Sequence, residues 1–181
     1  LQGLGRHSDA VDAFAEATAL SPEDVRAWYR RGLSLKALSR DEEARVSFER
    51  GLSLVPRDAG AWYCRGMVLE ELARYREALE SYDRALSLQA GHAGAWYRSG
   101  LCLALLGRNA AAAEAFARAT ESDPSHAAAH VEHGRLLEML GRHDEAILPL
   151  DRAIQLDPGQ ATPWYFRGLA LAAGGRDEDA I

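Results

Sequence analysis

Between residues 25 and 58, apolar and small side chains return at the helical period. Trp28, Gly32, Leu35 and Leu38 fall at steps of four, three and three, and a second stripe follows through Ala44, Phe48, Gly51 and Leu52. Two such stripes predict a helical hairpin. Pro22, Pro56, Pro124 and Pro158 are placed to end each second helix, while Gly5, Gly107, Gly141 and Gly175 are placed in the turn between helices. Ser39 and Ala73 stand where the turn glycine is missing, and Ala90 once replaces the proline. Pro149 falls inside a predicted second helix, where a lost hydrogen bond predicts a local kink.

The hairpin repeats. Trp28-Tyr29-Arg30-Arg31-Gly32 returns every 34 residues as Trp62 to Gly66, Trp96 to Gly100 and, after one skipped beat, Trp164 to Gly168; in the skipped beat Gly134 remains while His130 and Val131 replace the aromatic pair. Self-similarity at this period marks a solenoid, whose units bury their apolar faces only by stacking. Full units run 25–58, 59–92, 93–126 and 127–160, with partial units at 1–24 and 161–181. The chain reads as one array, 1–181, and as a fragment of a longer protein, since it lacks an initial methionine and a further helix is due near Glu178. Glycine inside a helix costs about 1 kcal/mol relative to alanine, so its recurrence predicts close helix packing. Gly32 is expected to face Ala44 and Gly51, Gly66 to face Ala78 and Ala85, Gly100 to face Ala112 and Ala119, and Gly134 to face Ala146 and Ala153.

Charge narrows the function. A net charge of −6 argues against a nucleic-acid groove, which needs clustered positive charge. No apolar stretch approaches the ~20 residues that cross a bilayer. Cys64 and Cys102 sit at different phases of neighbouring units and read as free thiols of a reducing, cytoplasmic compartment. No nucleophile–base pair recurs with catalytic spacing and no phosphate-cradling loop is present, so the chain reads as a non-enzyme without cofactor or metal. His126, His130 and His133 have spacing that could converge on a metal, but His126 falls in a loop and His130 takes the place of a packing tryptophan. Arginine is expected to end the first helix of every unit, at Arg6, Arg40, Arg74, Arg108, Arg142 and Arg176, where it complements the helix C-terminus and can meet the acidic start of the second helix at Glu43, Glu77, Glu145 and Asp179.

Tryptophan, glycine, leucine, alanine, aromatic, alanine and proline in this order over 34 residues resemble the tetratricopeptide repeat family in a bacterial-type array. The resemblance implies an all-α fold, an α-α superhelix of helix-turn-helix units, with each first helix lining a concave groove. It also implies a non-catalytic scaffold that binds a peptide or a partner-protein segment. On that geometry the groove carries Tyr29, Leu33, Lys36, Tyr63, Met67, Tyr97, Arg98, Leu101, Tyr165 and Leu169. Gly60 and Gly94, in the row before the tyrosines, would leave room for a ligand backbone, and a charge series from Arg26, Arg30 and Lys36 through Glu70, Glu71 and Arg98 to Glu132 and Glu138 with Arg135 would orient it. Chaperone-binding members of the family grip a C-terminal carboxylate with lysine and asparagine; Tyr29, Leu33, Tyr63 and Met67 occupy comparable places here, and Asn109 is the sole asparagine, so a carboxylate clamp is not expected. Two other readings stand beside the scaffold: a regulatory or spacer module of a larger enzyme such as a kinase or glycosyltransferase, and self-association through exposed repeat ends near Phe14.

Overall fold

The computed structural model of the chain describes residues 2–175, in which ten α-helices and no strand occur. The helices group into two compact units, one ending at Ala90 and one starting at Gly91. The first holds α1 (Gln2–Leu20), α2 (Val25–Ala37), α3 (Asp41–Leu54), α4 (Ala59–Glu71) and α5 (Tyr75–Leu88). The second holds α6 (Ala93–Leu105), α7 (Asn109–Ser122), α8 (Ala127–Met139), α9 (His143–Leu156) and α10 (Ala161–Ala173). Within each unit the helices pack on their sequence neighbours. Alternate helices also touch, α2 on α4 and α8 on α10.

In α2, α4, α6 and α8 the mid-helix glycine accommodates a large side chain sixteen residues downstream. A Cβ added at Gly32 would lie 2.9 Å from the Phe48 ring, and one at Gly100 would lie 2.7 Å from the Phe116 ring. Gly66 holds Tyr82 in the same way, and Gly134 holds Leu150. Phe48, Tyr82, Phe116 and Leu150 are all fully buried. The notch therefore receives a bulky knob, where contact between two small-residue faces was expected. The alanines flank that knob: Ala44, Ala78, Ala112 and Ala146 lie one turn before it and are equally buried. At Gly134 the Ala146 carbonyl also lies 3.2 Å from the added Cβ.

The tryptophans fasten the loop before their own helix. The indole N–H of Trp28 donates to the Pro22 carbonyl and that of Trp62 to the Pro56 carbonyl, both at 2.9 Å, and Trp164 donates to Pro158 at 3.3 Å. In the skipped beat His130 Nε2 sits 3.2 Å from the Pro124 carbonyl, so the imidazole replaces the indole and keeps its hydrogen bond.

The turns between paired helices are Schellman motifs. Arg40 N–H donates to the Leu35 carbonyl and Ser39 N–H to the Lys36 carbonyl, and the same pair of bonds recurs at Ala73–Arg74, Gly107–Arg108 and Gly141–Arg142. The residue at the turn is left-handed throughout, φ 56° at Ser39 and Ala73 and 73° at Gly107 and Gly141. Arg40, Arg74, Arg108 and Arg142 follow that residue and stand at the N-cap of the second helix rather than the end of the first. From there Arg40, Arg74 and Arg142 grip Glu43, Glu77 and Glu145 at 2.6–2.8 Å through two nitrogens each. These hydrogen bonds are the main cause holding the three carboxyls below their usual range.

Three expectations are corrected or fall outside view. α1 runs unbroken through Gly5, so no turn forms there and Arg6 lies within the helix. α9 also continues without interruption through Pro149 and has the same 14 residues as α3, α5 and α7, so the expected kink leaves no break. Pro149 occupies the place of Ser47 and Ser81, whose hydroxyls donate to the carbonyls of Glu43 and Glu77. The carbonyl that the proline leaves without its helical donor belongs to Glu145, an exposed residue that water can reach. Arg176, Glu178 and Asp179 lie outside the described residues.

Opposite signs are expected for one substitution at two glycines. Gly66→Ala forces a methyl group into the buried Tyr82 ring and should destabilise the chain by about 1–3 kcal/mol. At Gly168 no described atom lies within 4 Å of the added methyl, so Gly168→Ala should gain up to about 1 kcal/mol of helix propensity. Thermal unfolding of the two variants checks the pair, and a Gly66→Ala chain as stable as wild type would refute the notch. Ala73→Gly removes a left-handed alanine and should raise stability by about 1 kcal/mol in the same assay.

Candidate functional site

The candidate residues sit on the first helix of each pair: Tyr29, Leu33 and Lys36 on α2, Tyr63 and Met67 on α4, Tyr97, Arg98 and Leu101 on α6, and Tyr165 and Leu169 on α10. α2 and α4 begin from an aspartate cap, with the Asp24 carboxylate accepting from Arg26 and Ala27 N–H and the Asp58 carboxylate from Ala61 N–H. At the same place before α6 and α8 stand His92 and His126, whose Nδ1 atoms accept from Ala95 and Ala129 N–H at 3.2 Å. This row of caps went unread in the sequence, although Asp24, Asp58, His92 and His126 keep the 34-residue spacing.

In the first unit, Tyr29 is a packing residue as much as a surface one. Its ring meets the edge of Phe48 at 5.4 Å and 85°, and its hydroxyl lies 3.1 Å from where a Cβ on Gly60 would be. Tyr29 thus fills the space that the glycine was expected to leave for a ligand. Burial pushes the Tyr29 hydroxyl well above its usual range, with further contributions from Cys64 and Asp58. The Cys64 thiol, half-buried beside it, is raised by the same loss of solvent. Tyr63 leans on Tyr82 at 5.9 Å and remains half-buried, as does Met67. Leu33 is more open, at 37% exposure.

The second unit divides in the same way. Tyr97 packs against Phe116 at 5.6 Å and against the His126 ring at 4.6 Å. Leu101 packs on the core formed by Ala112, Ala113, Phe116 and Leu136. Tyr165 is 63% exposed and Leu169 37% exposed, so α10 offers the most open part of the set. Nearby apolar residues not singled out in the sequence are also open, Leu105 at 62% and Met139 at 56%. They lie four residues after Leu101 and Arg135, so a helical step of four from the candidate row was a signal that could have found them.

Much of the charge series is engaged within the chain. Lys36 Nζ lies 3.6 Å from Glu71, Glu70 accepts a 2.7 Å hydrogen bond from the Tyr82 hydroxyl, and Arg135 holds Glu132 through two nitrogens at 2.6 and 2.9 Å. Arg26, its side chain 94% exposed, lies 3.8 Å from the Asp24 carboxylate, and Arg30 is exposed beside it on α2. Arg98 is half-buried on α6.

The second arginine of the repeated word also had no assigned role in the sequence, and it proves to link helices. Arg65 donates to the Ser81 hydroxyl at 2.6 Å and to Glu49 at 3.0 Å, joining α4 to α5 and α3. Arg167 donates to Asp151 at 2.6 Å, joining α10 to α9. Arg31 and Arg65 also lie over the Trp28 and Trp62 rings at 5.8 and 5.7 Å.

The three histidines of α8 face different partners. His126 caps the helix, His130 bonds Pro124, and His133 is half-buried below them. Among the described residues no group of three histidine, cysteine, aspartate or glutamate side chains is placed to hold a metal ion, and no helix is long and apolar enough to cross a membrane.

Comparison with known proteins identifies the repeat. The model of the tetratricopeptide repeat matches residues 1–59, 42–91, 63–125 and 106–161. No curated protein sequence matches the chain. Among solved structures it is similar to YrrB, a TPR protein with an unusual peptide-binding site, at 26% identity and a TM-score of 0.83 over 94% of this chain and 88% of that one. MamA is similar in fold, at 22% identity and a TM-score of 0.82 over 87% of this chain and 92% of that one. So is PilF of Pseudomonas aeruginosa, at 18% identity and a TM-score of 0.81 over 97% and 80%. With a 34-residue helical hairpin, a glycine notch in α2, α4, α6 and α8 and family matches from residue 1 to residue 161, the chain belongs to the tetratricopeptide repeat family.

Proposed function

We propose that this chain is a non-catalytic scaffold that binds a peptide or partner-protein segment on the faces of its first helices. The observation that carries the reading is the exposure of large apolar side chains there: Leu33 on α2, Leu105 on α6, Met139 on α8, and Tyr165 and Leu169 on α10. Exposed tyrosine, leucine and methionine offer contact area that a partner can desolvate, and methionine adapts to irregular surfaces. The similarity to YrrB, whose peptide-binding site is stated for that protein, supports a peptide as the ligand.

In the second unit the proposed face is mainly apolar, with Arg135 neutralised by Glu132. In the first unit Arg26 and Arg30 add positive charge beside Leu33. The first face thus favours a segment bearing acidic residues, and the second an apolar one. Tyr29 and Tyr97 hold the helices on which these faces are built, and they contribute to recognition mainly by positioning.

A displayed peptide library selected on the wild-type chain supplies the probe. Tyr165→Ala combined with Leu169→Ala should weaken the selected peptides by about tenfold or more while far-UV dichroism stays helical; undiminished affinity, with Leu33→Ala also silent, would count against these faces. Stability should separate the two kinds of tyrosine. Tyr29→Ala should cost about 2 kcal/mol or more, and Tyr165→Ala less than about 0.5 kcal/mol, in denaturant unfolding.

A further inference from the structure

Three histidines stand at the start of α8, His126 at its cap and His130 and His133 in its first two turns, and the hydrogen bonds of His126 and His130 need a neutral ring. The His126 Nδ1 accepts the Ala129 N–H, which a protonated ring cannot do, and a cation at that place would oppose the helix dipole. His130 stands 3.2 Å from a carbonyl, which only accepts, so Nε2 carries the hydrogen; its Nδ1 is buried without a hydrogen-bond partner. Protonation would place a second N–H in that site with nothing to receive it. His133 is half-buried beneath them. Burial is the largest cause pushing both His130 and His133 below the ordinary histidine range.

The charged surroundings do not reverse this. His126 and His130 face Asp123 in the preceding loop, but its carboxylate is engaged by the Ser125 N–H at 2.9 Å and hydroxyl at 2.6 Å. Tyr97 faces His126 from α6, and Arg152 faces His130 from α9. His133 is opposed by His130 and Arg142, and favoured by Glu145 of α9 and Glu121 of α7. The unfolded chain therefore binds more protons than the folded one once pH falls below about 6.5, and stability is lost in that direction. By contrast, α2 and α4 are capped by the side-chain oxygens of Asp24 and Asp58 rather than by an imidazole.

We propose that α8 is an acid-sensitive element: in acid, a proton on the His126 Nδ1 lone pair that holds the Ala129 N–H, or on the buried His130 Nδ1, uncaps the helix, unseats its leading loop and loosens Tyr97, which leans on the His126 ring. The effect on ligand binding rests on the reading of the first-helix faces given above; the opening of α8 does not.

Amide exchange of the full chain, measured by NMR and corrected for intrinsic rates, tests it at pH 7.5 and 5.5. Protection at Ala129 should fall by about fivefold, while Ala27 and Ala61, which donate to Asp24 and Asp58, hold theirs. The variant His126→Asp with His130→Trp restores the residues found in the first unit, and it should retain Ala129 protection at both pH values. Constant protection at Ala129 in the wild-type chain would overturn the proposal, as would an undiminished loss in the double variant. A failure of the Tyr165 and Leu169 substitutions to affect peptide binding would leave this readout unchanged, so the two readings fail separately.

Discussion

The contact on which the rest of the fold depends is the seat of one side chain over a glycine sixteen residues earlier. Gly32, Gly66, Gly100 and Gly134 receive Phe48, Tyr82, Phe116 and Leu150, and each occupant is fully buried. A β-carbon at any of the four would push the paired helices apart, and the cost would be felt by everything packed on both. The seat also sets which face each first helix turns outward. With the glycine directed at its own partner helix, the residues three before it and one after it are left to meet the next pair or solvent. Tyr29 meets Gly60 in this way, and Leu33 remains open.

Most of this was legible because a repeat multiplies weak local signals. One mid-helix glycine means little, whereas the same glycine at residues 32, 66, 100, 134 and 168 locates every first helix. Periodicity fixes faces but does not say which residue of a facing stripe reaches deepest. The small residues around the notch were therefore read as its partners, and the ring between them was missed. Gly5 misled for a related reason, since a glycine marks a turn only where two helices fold onto one another, and α1 passes straight through it.

The candidate surface was legible in position more than in exposure. The tyrosine row lies on the first helices, but Tyr29 and Tyr97 are half-buried against rings of other helices, whereas Tyr165 meets the ring of the adjacent Phe166 and stays exposed. Depth of burial depends on what the adjoining helix presents, and a single repeat unit does not contain that information. The charges carried the same ambiguity: Lys36, Glu70, Glu132 and Arg135 sit in a row that looks available, yet each has a partner within the chain. Caps escaped notice because aspartate and histidine at one repeat position do not resemble each other, although both offer a lone pair to the same amide.

The exchange of Trp for His at residue 130 also decides what light can report about this molecule. The indoles of Trp28, Trp62 and Trp164 are each hydrogen-bonded to the loop before their helix, so their emission follows the seating of α2, α4 and α10. α8 has an imidazole at that bond and carries no fluorophore of its own beyond it. Its loop can come loose in the dark, and the spectrum of the chain would be weighted toward helices that have not moved.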